Sequence, residues 1–328
     1  MTIFVNSNSN AKSTNMFWHR LVSIILTLTT LLVFSTIGAS QTLEKREDSL
    51  SVLLNAIIKA EAIEQKMALN QQFTLLLKET LSDESSMDYP FEKLKNIGIL
   101  STPSKKVRFF TWNIPQAIGK QVYYGLVQVK GKDFYNVFSL NDSRSEIANP
   151  QLEVLSPTKW WGALYYYVDE RKVGGNNVYI LLGVEMNNLF STRRVIETLW
   201  FNDKNEPVFG APIFSVNKQI LSRVVFEYSA RTNMVLKYLP EKEMIVFDHL
   251  SPQRPDLVGN YQFYGPDFSY DAFKFDKGMW VFTPDIDLRN AKRDKPATPI
   301  EAPEKNPEPG FLYLPDSKKN TDSSKDVQ

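Results

Sequence analysis

The sequence predicts a mainly β protein: an antiparallel β domain, built as a sandwich, barrel or propeller-like meander, preceded by an α-helical N-terminal region. Three observations predict it. Residues 44–82 set apolar side chains at helical spacing, with no Gly or Pro between 44 and 89. From about residue 105 the pattern changes to short β-branched and aromatic runs. Turn-forming residues separate these runs roughly every 8–12 positions, and no helical pattern interleaves them, which points to an antiparallel body.

In the helical segment, Asp48-Ser49 are placed to cap the start, and Leu50, Leu53, Leu54, Ile57 and Ile58 share one face. Ile63, Met67, Phe73, Leu76, Leu77 and Leu81 continue in a less regular phase. One long helix or a helical hairpin fits, and SDESSMDYP (82–90) ends it. The heptad pattern is not kept for three repeats, so the segment is expected to pack on the β domain and not to form a dimerising coiled coil.

The strands are expected at KVRFFTWNI (106–114), QVYYGLVQVK (121–130), DFYNVFSL (133–140), WWGALYYYVDE (160–170) and NVYILLGVE (177–185). Gly174-Gly175-Asn176 marks a hairpin between the last two. TRRVIETLWF (192–201), PVFG (207–210), ILSRVVFEYSA (220–230), NMVLKYL (233–239) and EMIVFDHL (243–250) follow. FYGPDFSYDAFKF (263–275) and GMWVFT (278–283) complete the set. In ALYYYV, Leu164 and Tyr166 point opposite to Tyr165 and Tyr167, so this strand is covered on both faces.

The ends of the chain read differently. LVSIILTLTTLLVFSTI (21–37) follows His19-Arg20 and runs into Gly38-Ala39-Ser40, the pattern of a secretory signal peptide cleaved after Ser40 or Ala39. The polar stretch before Met16 is long for a leader, so Met1 and Met16 are both candidate starts. Residues 291–328 begin AKRDKPATPIEAPEKNPEPG, with five Pro in twenty residues, and form an expected disordered tail whose one apolar island is FLYLP (311–315). The expected organisation is a signal peptide at 1–40, a helical region at 41–100, a β domain at 101–290 and the tail at 291–328.

Composition narrows the chemistry. The absence of Cys excludes disulfides, thiolate nucleophiles and every Cys-containing metal site. The formal charge of +1 comes from the leader. Lys12 and Arg20 are the leader's only charged residues, and without them 36 basic residues face 37 acids. No basic footprint for nucleic acid results. No GxGxxG or GxSxG occurs, and Gly125 to Gly131-Lys132 misses the phosphate-loop spacing, so no cofactor is expected.

His249 is the only histidine beyond the leader. It lies in Asp248-His249-Leu250-Ser251, yet neighbours on a strand face opposite ways, so Asp248 is badly placed to orient it. Glu185, Glu227, Asp248, Asp267 and Asp271 are the candidates for a carboxylate pair. Asp267, Ser269 and Asp271 match three positions of a calcium loop, but Ala272 and Gly278 replace its glycine and its bidentate glutamate, so no metal is expected there. Catalytic candidates are therefore Asp248, His249, Asp267 and Asp271. Of Trp112, Trp160, Trp161, Trp200 and Trp280, the adjacent pair Trp160-Trp161 presents one ring to each face if extended. Trp160, Trp161 and Tyr264 are the binding candidates, since aromatic faces suit glycans and peptides.

The segments FTWN (110–113), WGALY (161–165), VIE (195–197), PVFG (207–210), RVVFEYSA (223–230), MIVFDHLSP (244–252) and FYGPDFSYD (263–271) carry a resemblance. Over about residues 105–290 the chain resembles a family of uncharacterised exported bacterial proteins. The resemblance implies one β domain over that span and brings no activity or catalytic residue with it. The reading expected from the sequence is an exported, soluble periplasmic or cell-surface protein that binds an envelope protein or a glycan, or serves in envelope assembly, without catalysis. The alternative is an envelope hydrolase of glycosides or esters that uses paired carboxylates with His249 assisting.

Overall fold

The computed structural model describes residues 42–288; the expected signal peptide and Pro-rich tail lie outside them. Up to Asp287 the described residues form one compact unit.

The helical segment is a hairpin. Helix α1 (residues 42–59) and α2 (Ile63–Leu81) are separated by Ala60, Glu61 and Ala62, with neither Gly nor Pro at the break. Asp48 and Ser49 lie inside α1 and do not cap it; Ser49 Oγ donates back to Lys45 O instead. Leu50, Leu54 and Ile57 of α1 pack with Phe73, Leu77 and Leu81 of α2. The last carbonyl of α2, without a partner in its own helix, accepts from Gln128 Nε2 at 3.0 Å and from Tyr135 Oη at 2.5 Å.

The first strands are β1 (Gly98–Ser101), β2 (Val107–Pro115), β3 (Gln121–Lys130) and β4 (Tyr135–Asn141). Next come β5 (Leu164–Val173), β6 (Asn176–Met186), β7 (Ser191–Phe201) and β8 (Pro207–Phe209). Then follow β9 (Phe214–Val216), β10 (Gln219–Leu221) and β11 (Val224–Ser229). The set closes with β12 (Leu236–Leu239), β13 (Met244–Pro252), β14 (Tyr264–Asp276) and β15 (Met279–Thr283).

They form three sheets. The first runs β1-β2-β3-β4; the second runs β11-β7-β6-β5, with β8 also paired to β7; the third runs β10-β9-β15-β14-β13-β12. Pairing is antiparallel throughout these strands, apart from the parallel contact of β15 with β9. The β5–β6 hairpin turns on Gly174 and Gly175, both at positive φ, which is what a two-residue turn of matching twist demands.

Side-chain alternation stacks these sheets as layers. On β2, Val107 and Phe109 enter one core while Phe110, Trp112 and Ile114 enter the core beneath the helices. On β6, Tyr179 and Leu181 face the first sheet, and Val178, Ile180 and Leu182 face the third. The architecture is a helical hairpin on a stack of three sheets, with the inner strands buried on both faces. Of the forms left open by the sequence, this is a sandwich extended by one layer.

Two expected strands change. The run 220–230 divides between β10 and β11, which belong to different sheets. Between them Arg223 is fully buried against Glu197, and the amides of Ser222 and Arg223 donate to Gln151 O, so the chain turns from one sheet to the other. Trp160 and Trp161 precede β5 and are not extended within it, and both rings are buried.

Candidate functional site

The sequence candidates fall into two places. The first lies where β13 meets β14. Their register slips between Asp248, opposite Tyr270, and Leu250, opposite Pro266, so three residues of β14 stand against His249. This bulge drives Phe268 outward at a φ of 71° and turns the flanking acids toward the imidazole. His249 Nδ1 lies 2.7 Å from Asp271 Oδ2, and Asp271 Oδ1 accepts from Asp285 N at 3.1 Å. Asp267 accepts from Ser251 Oγ at 2.8 Å and from the amide and hydroxyl of Ser269.

Asp248 takes no part. Its carboxylate accepts from Val235 N at 2.7 Å, on the side of the strand away from His249. The hydrogen bond to Asp271 raises the His249 pKa against a smaller opposing desolvation, and the charges of Asp271, Asp267 and Asp285 add to the rise. Desolvation works against ionisation of Asp267, yet the hydrogen bonds from Ser269 and Ser251 hold its carboxyl below the usual range. His249 is half-exposed, and no hydroxyl among the described residues bonds its other ring nitrogen. Among the described residues no group of three or more His, Asp or Glu side chains is arranged to hold a metal ion.

The second place is a groove at the edge of the middle sheet. A cavity of about 400 Å³ is lined by Trp161, Tyr261, Tyr264, Arg193, Glu227 and Leu250, together with Pro150, Gln151, Val225 and Phe226. The last four also line a second cavity of about 420 Å³, walled by Phe247, Phe273 and Phe282. The two cavities therefore adjoin along β11. One end is aromatic and charged; the other is apolar. Trp161 and Tyr264, separated by more than a hundred positions in the chain, meet here. Trp160 does not: its ring is fully buried and its Nε1 donates to Tyr165 Oη at 2.8 Å.

The polar groups of the groove are tightly held. Glu227 accepts from Arg193 Nε at 2.8 Å, Ser191 Oγ at 2.7 Å and Asn187 Nδ2 at 3.0 Å. Arg193 also reaches Glu185, lies over the Trp161 ring at 5.7 Å, and so bridges the two carboxylates. Behind it Arg144 pairs with Glu185 and Asp142. Burial pushes the Glu185 carboxyl up, against the pull of Arg144 and Arg193. A carboxylate shared by two guanidiniums is a structural anchor and a poor proton donor.

One residue of the groove lining carries a buried, unsatisfied group. Trp161 is buried, yet its indole Nε1–H has no hydrogen-bond partner. Such an orphan costs about 1–3 kcal/mol unless a partner arrives. Sequence reading missed Arg193 and Tyr261, and it weighed Glu227 only as a catalytic acid. The cue it lacked was spatial: these residues converge only through the pairing of β7 with β11 and the packing of β11 on the third sheet.

No known protein family, curated protein or solved structure matches the chain.

Proposed function

We propose that this is an exported binding protein, and that its ligand site is the groove along β11. The observation that carries the reading is the convergence of Trp161, Tyr261, Tyr264, Arg193 and Glu227 on one cavity. A pocket of several hundred Å³, mostly apolar with a few convergent polar groups, is the usual form of a ligand site. Export is supported by the apolar run 21–37 with its small-residue exit. No helix among the described residues is long and apolar enough to cross a membrane. A role in envelope binding or assembly accords with these features.

The test is a thermal-shift screen of the full chain against soluble oligosaccharides and decapeptides, repeated with Tyr264→Ala. A ligand that raises Tm in the parent protein and not in the variant supports the groove. Equal shifts in both place the site elsewhere.

A second reading, hydrolysis, rests on the His249–Asp271 pair, which has the orientation of a general base and its supporting acid. Against it stand Asp248, turned to Val235, and the absence of His249 from the lining of both groove cavities.

A further inference from the structure

We infer that the end of the stack where β2, β6, β11 and β13 finish binds a lipid surface, holding an anionic phospholipid headgroup while apolar turn residues enter the bilayer. The inference is independent of the β11 groove. The turns 116–120, 187–190 and 230–233 and the loop 253–263 leave these four strands. They come together at this end. A Cβ on Gly119 would stand 2.6 Å from the Leu189 side chain, and Ala230 N donates to Phe190 O at 2.8 Å. Leu189, Phe190, Arg231, Gln253 and Gln262 line one cavity.

Apolar residues occupy the tips of these turns. Ile118 is 81% exposed, Leu189 60% and Phe190 64%, and Val258 on the 253–263 loop is 72% exposed. The backbone fixes them there. Asn188 Oδ1 accepts from the amides of Phe190 at 2.8 Å and Ser191 at 3.0 Å, which holds Leu189 and Phe190 at the bend. Ile118 sits at a φ of 58°, a conformation that β-branched residues rarely adopt. In water these side chains gain no burial, and a bilayer interface supplies it. Side chains on the tips of separate turns can enter a fluid interface together, whereas a protein partner would need a recess matched to each.

Charge selects the lipid. The four segments carry Lys120, Arg231 and Arg254 against one acid, Asp256, which already pairs with Arg254 at 2.9 Å. The cavity beside Phe190 has a volume of about 330 Å³, and its lining among the described residues includes Arg231 and no Asp or Glu. A guanidinium takes a phosphodiester through paired N–H donors. The Ser229 hydroxyl and the carboxamides of Gln253 and Gln262, in the same lining, suit the headgroup oxygens. Leu189, Phe190 and Phe263 complete the lining. A headgroup held there would set its acyl chains beside side chains that enter the same apolar layer. A soluble phosphate ester uses the same donors but leaves Ile118, Leu189 and Phe190 in water.

The chain has no Cys, so one introduced thiol carries a polarity-sensitive nitrobenzoxadiazole dye to a chosen point. Ile118→Cys places the dye among the tips, and Lys242→Cys places it in the turn before β13, at the other end of that strand. Each labelled full chain is titrated with vesicles of phosphatidylglycerol and phosphatidylcholine in equal parts, with phosphatidylcholine vesicles, and with soluble glycerol phosphate. The expected result is brighter, blue-shifted emission at position 118 on the anionic vesicles and no change at 242. Leu189→Ser with Phe190→Ser weakens the response at 118 by about tenfold or more. Arg231→Gln weakens it about fivefold. All three positions are exposed, and an unchanged Tm shows that the fold is kept. No response at 118 overturns the inference, as does an equal response at 118 and 242, which assigns vesicle binding to another part of the chain. An equal response on phosphatidylcholine vesicles overturns the anionic headgroup. A glycerol phosphate response that equals the vesicle response overturns insertion and leaves a soluble phosphate ester as the ligand. A response that needs only a higher protein concentration, without vesicles, assigns the tips to a second copy of the chain and overturns the lipid.

Discussion

Arg193 Nε lies 2.8 Å from Glu227 Oε2, and the same guanidinium contacts Glu185 at 3.4 Å. One side chain thus ties the edge strand β11 to β6 through β7, and it fixes the polar end of the groove. Arg193→Met is expected to lower stability by about 2 kcal/mol, less than a fully buried pair because Arg193 and Glu227 keep some solvent contact. Urea unfolding checks this. A midpoint unchanged from the parent would remove Arg193 from the framework of the site.

The pair of Glu197 and Arg223 is fully buried, and Arg223 also donates to Pro150 O on the groove wall. Removing one partner strands a charge in the core. Arg223→Ala should cost about 3–5 kcal/mol. The double replacement Glu197→Leu with Arg223→Met should cost clearly less. Denaturant midpoints of the three variants test the ordering, and a double variant worse than the single would contradict it.

Beneath the helices, Trp112 Nε1 donates to Asn70 Oδ1 at 2.7 Å, and both groups are buried. Asn70→Leu should destabilise by about 1–3 kcal/mol through an unsatisfied indole. Trp112→Phe in that background removes the orphan and should recover part of the loss. Thermal unfolding of the single and double variants measures the difference.

His249 carries a raised pKa through its bond to Asp271. The protonated pair therefore stabilises the folded chain fully below the unfolded imidazole value of about 6.5, and this contribution is lost as pH rises through the higher folded value. The stability difference between the parent and His249→Gln should be largest near pH 6 and should shrink above it. Asp271→Asn should bring the imidazole titration, followed by NMR, back down. A His249 titration unmoved by Asp271→Asn would rule the pair out as its cause.

Much of the fold was legible because period and burial agree. The runs of β2, β3, β6 and β7 stand almost where alternation and β-branched residues set them. β1 and β9 escaped notice, being four and three residues long, too short for alternation to register. The break between α1 and α2 at Ala60 carries no local signal, because tertiary packing of Phe73 and Leu77 on Leu50 and Leu54 decides it. The division at Arg223 has the same character, since its cause is Glu197 on another strand. Of the site, the aromatic residues Trp161 and Tyr264 could be nominated by type. The pairing of His249 with Asp271 depends on a bulge that no pattern of residue types announces.

The central claim, that the β11 groove is the ligand site, is tested most directly at the Trp161 indole N–H. In ¹H–¹⁵N spectra of the full chain, Trp161→Phe assigns that resonance, and Trp160, already bonded to Tyr165, serves as the internal reference. Addition of a binding decapeptide or oligosaccharide should move the Trp161 signal as the cavity it lines fills, while the Trp160 signal stays in place. A ligand that binds and shifts the His249 ring resonances while leaving Trp161 unmoved would contradict the account and return the function to the β13–β14 bulge.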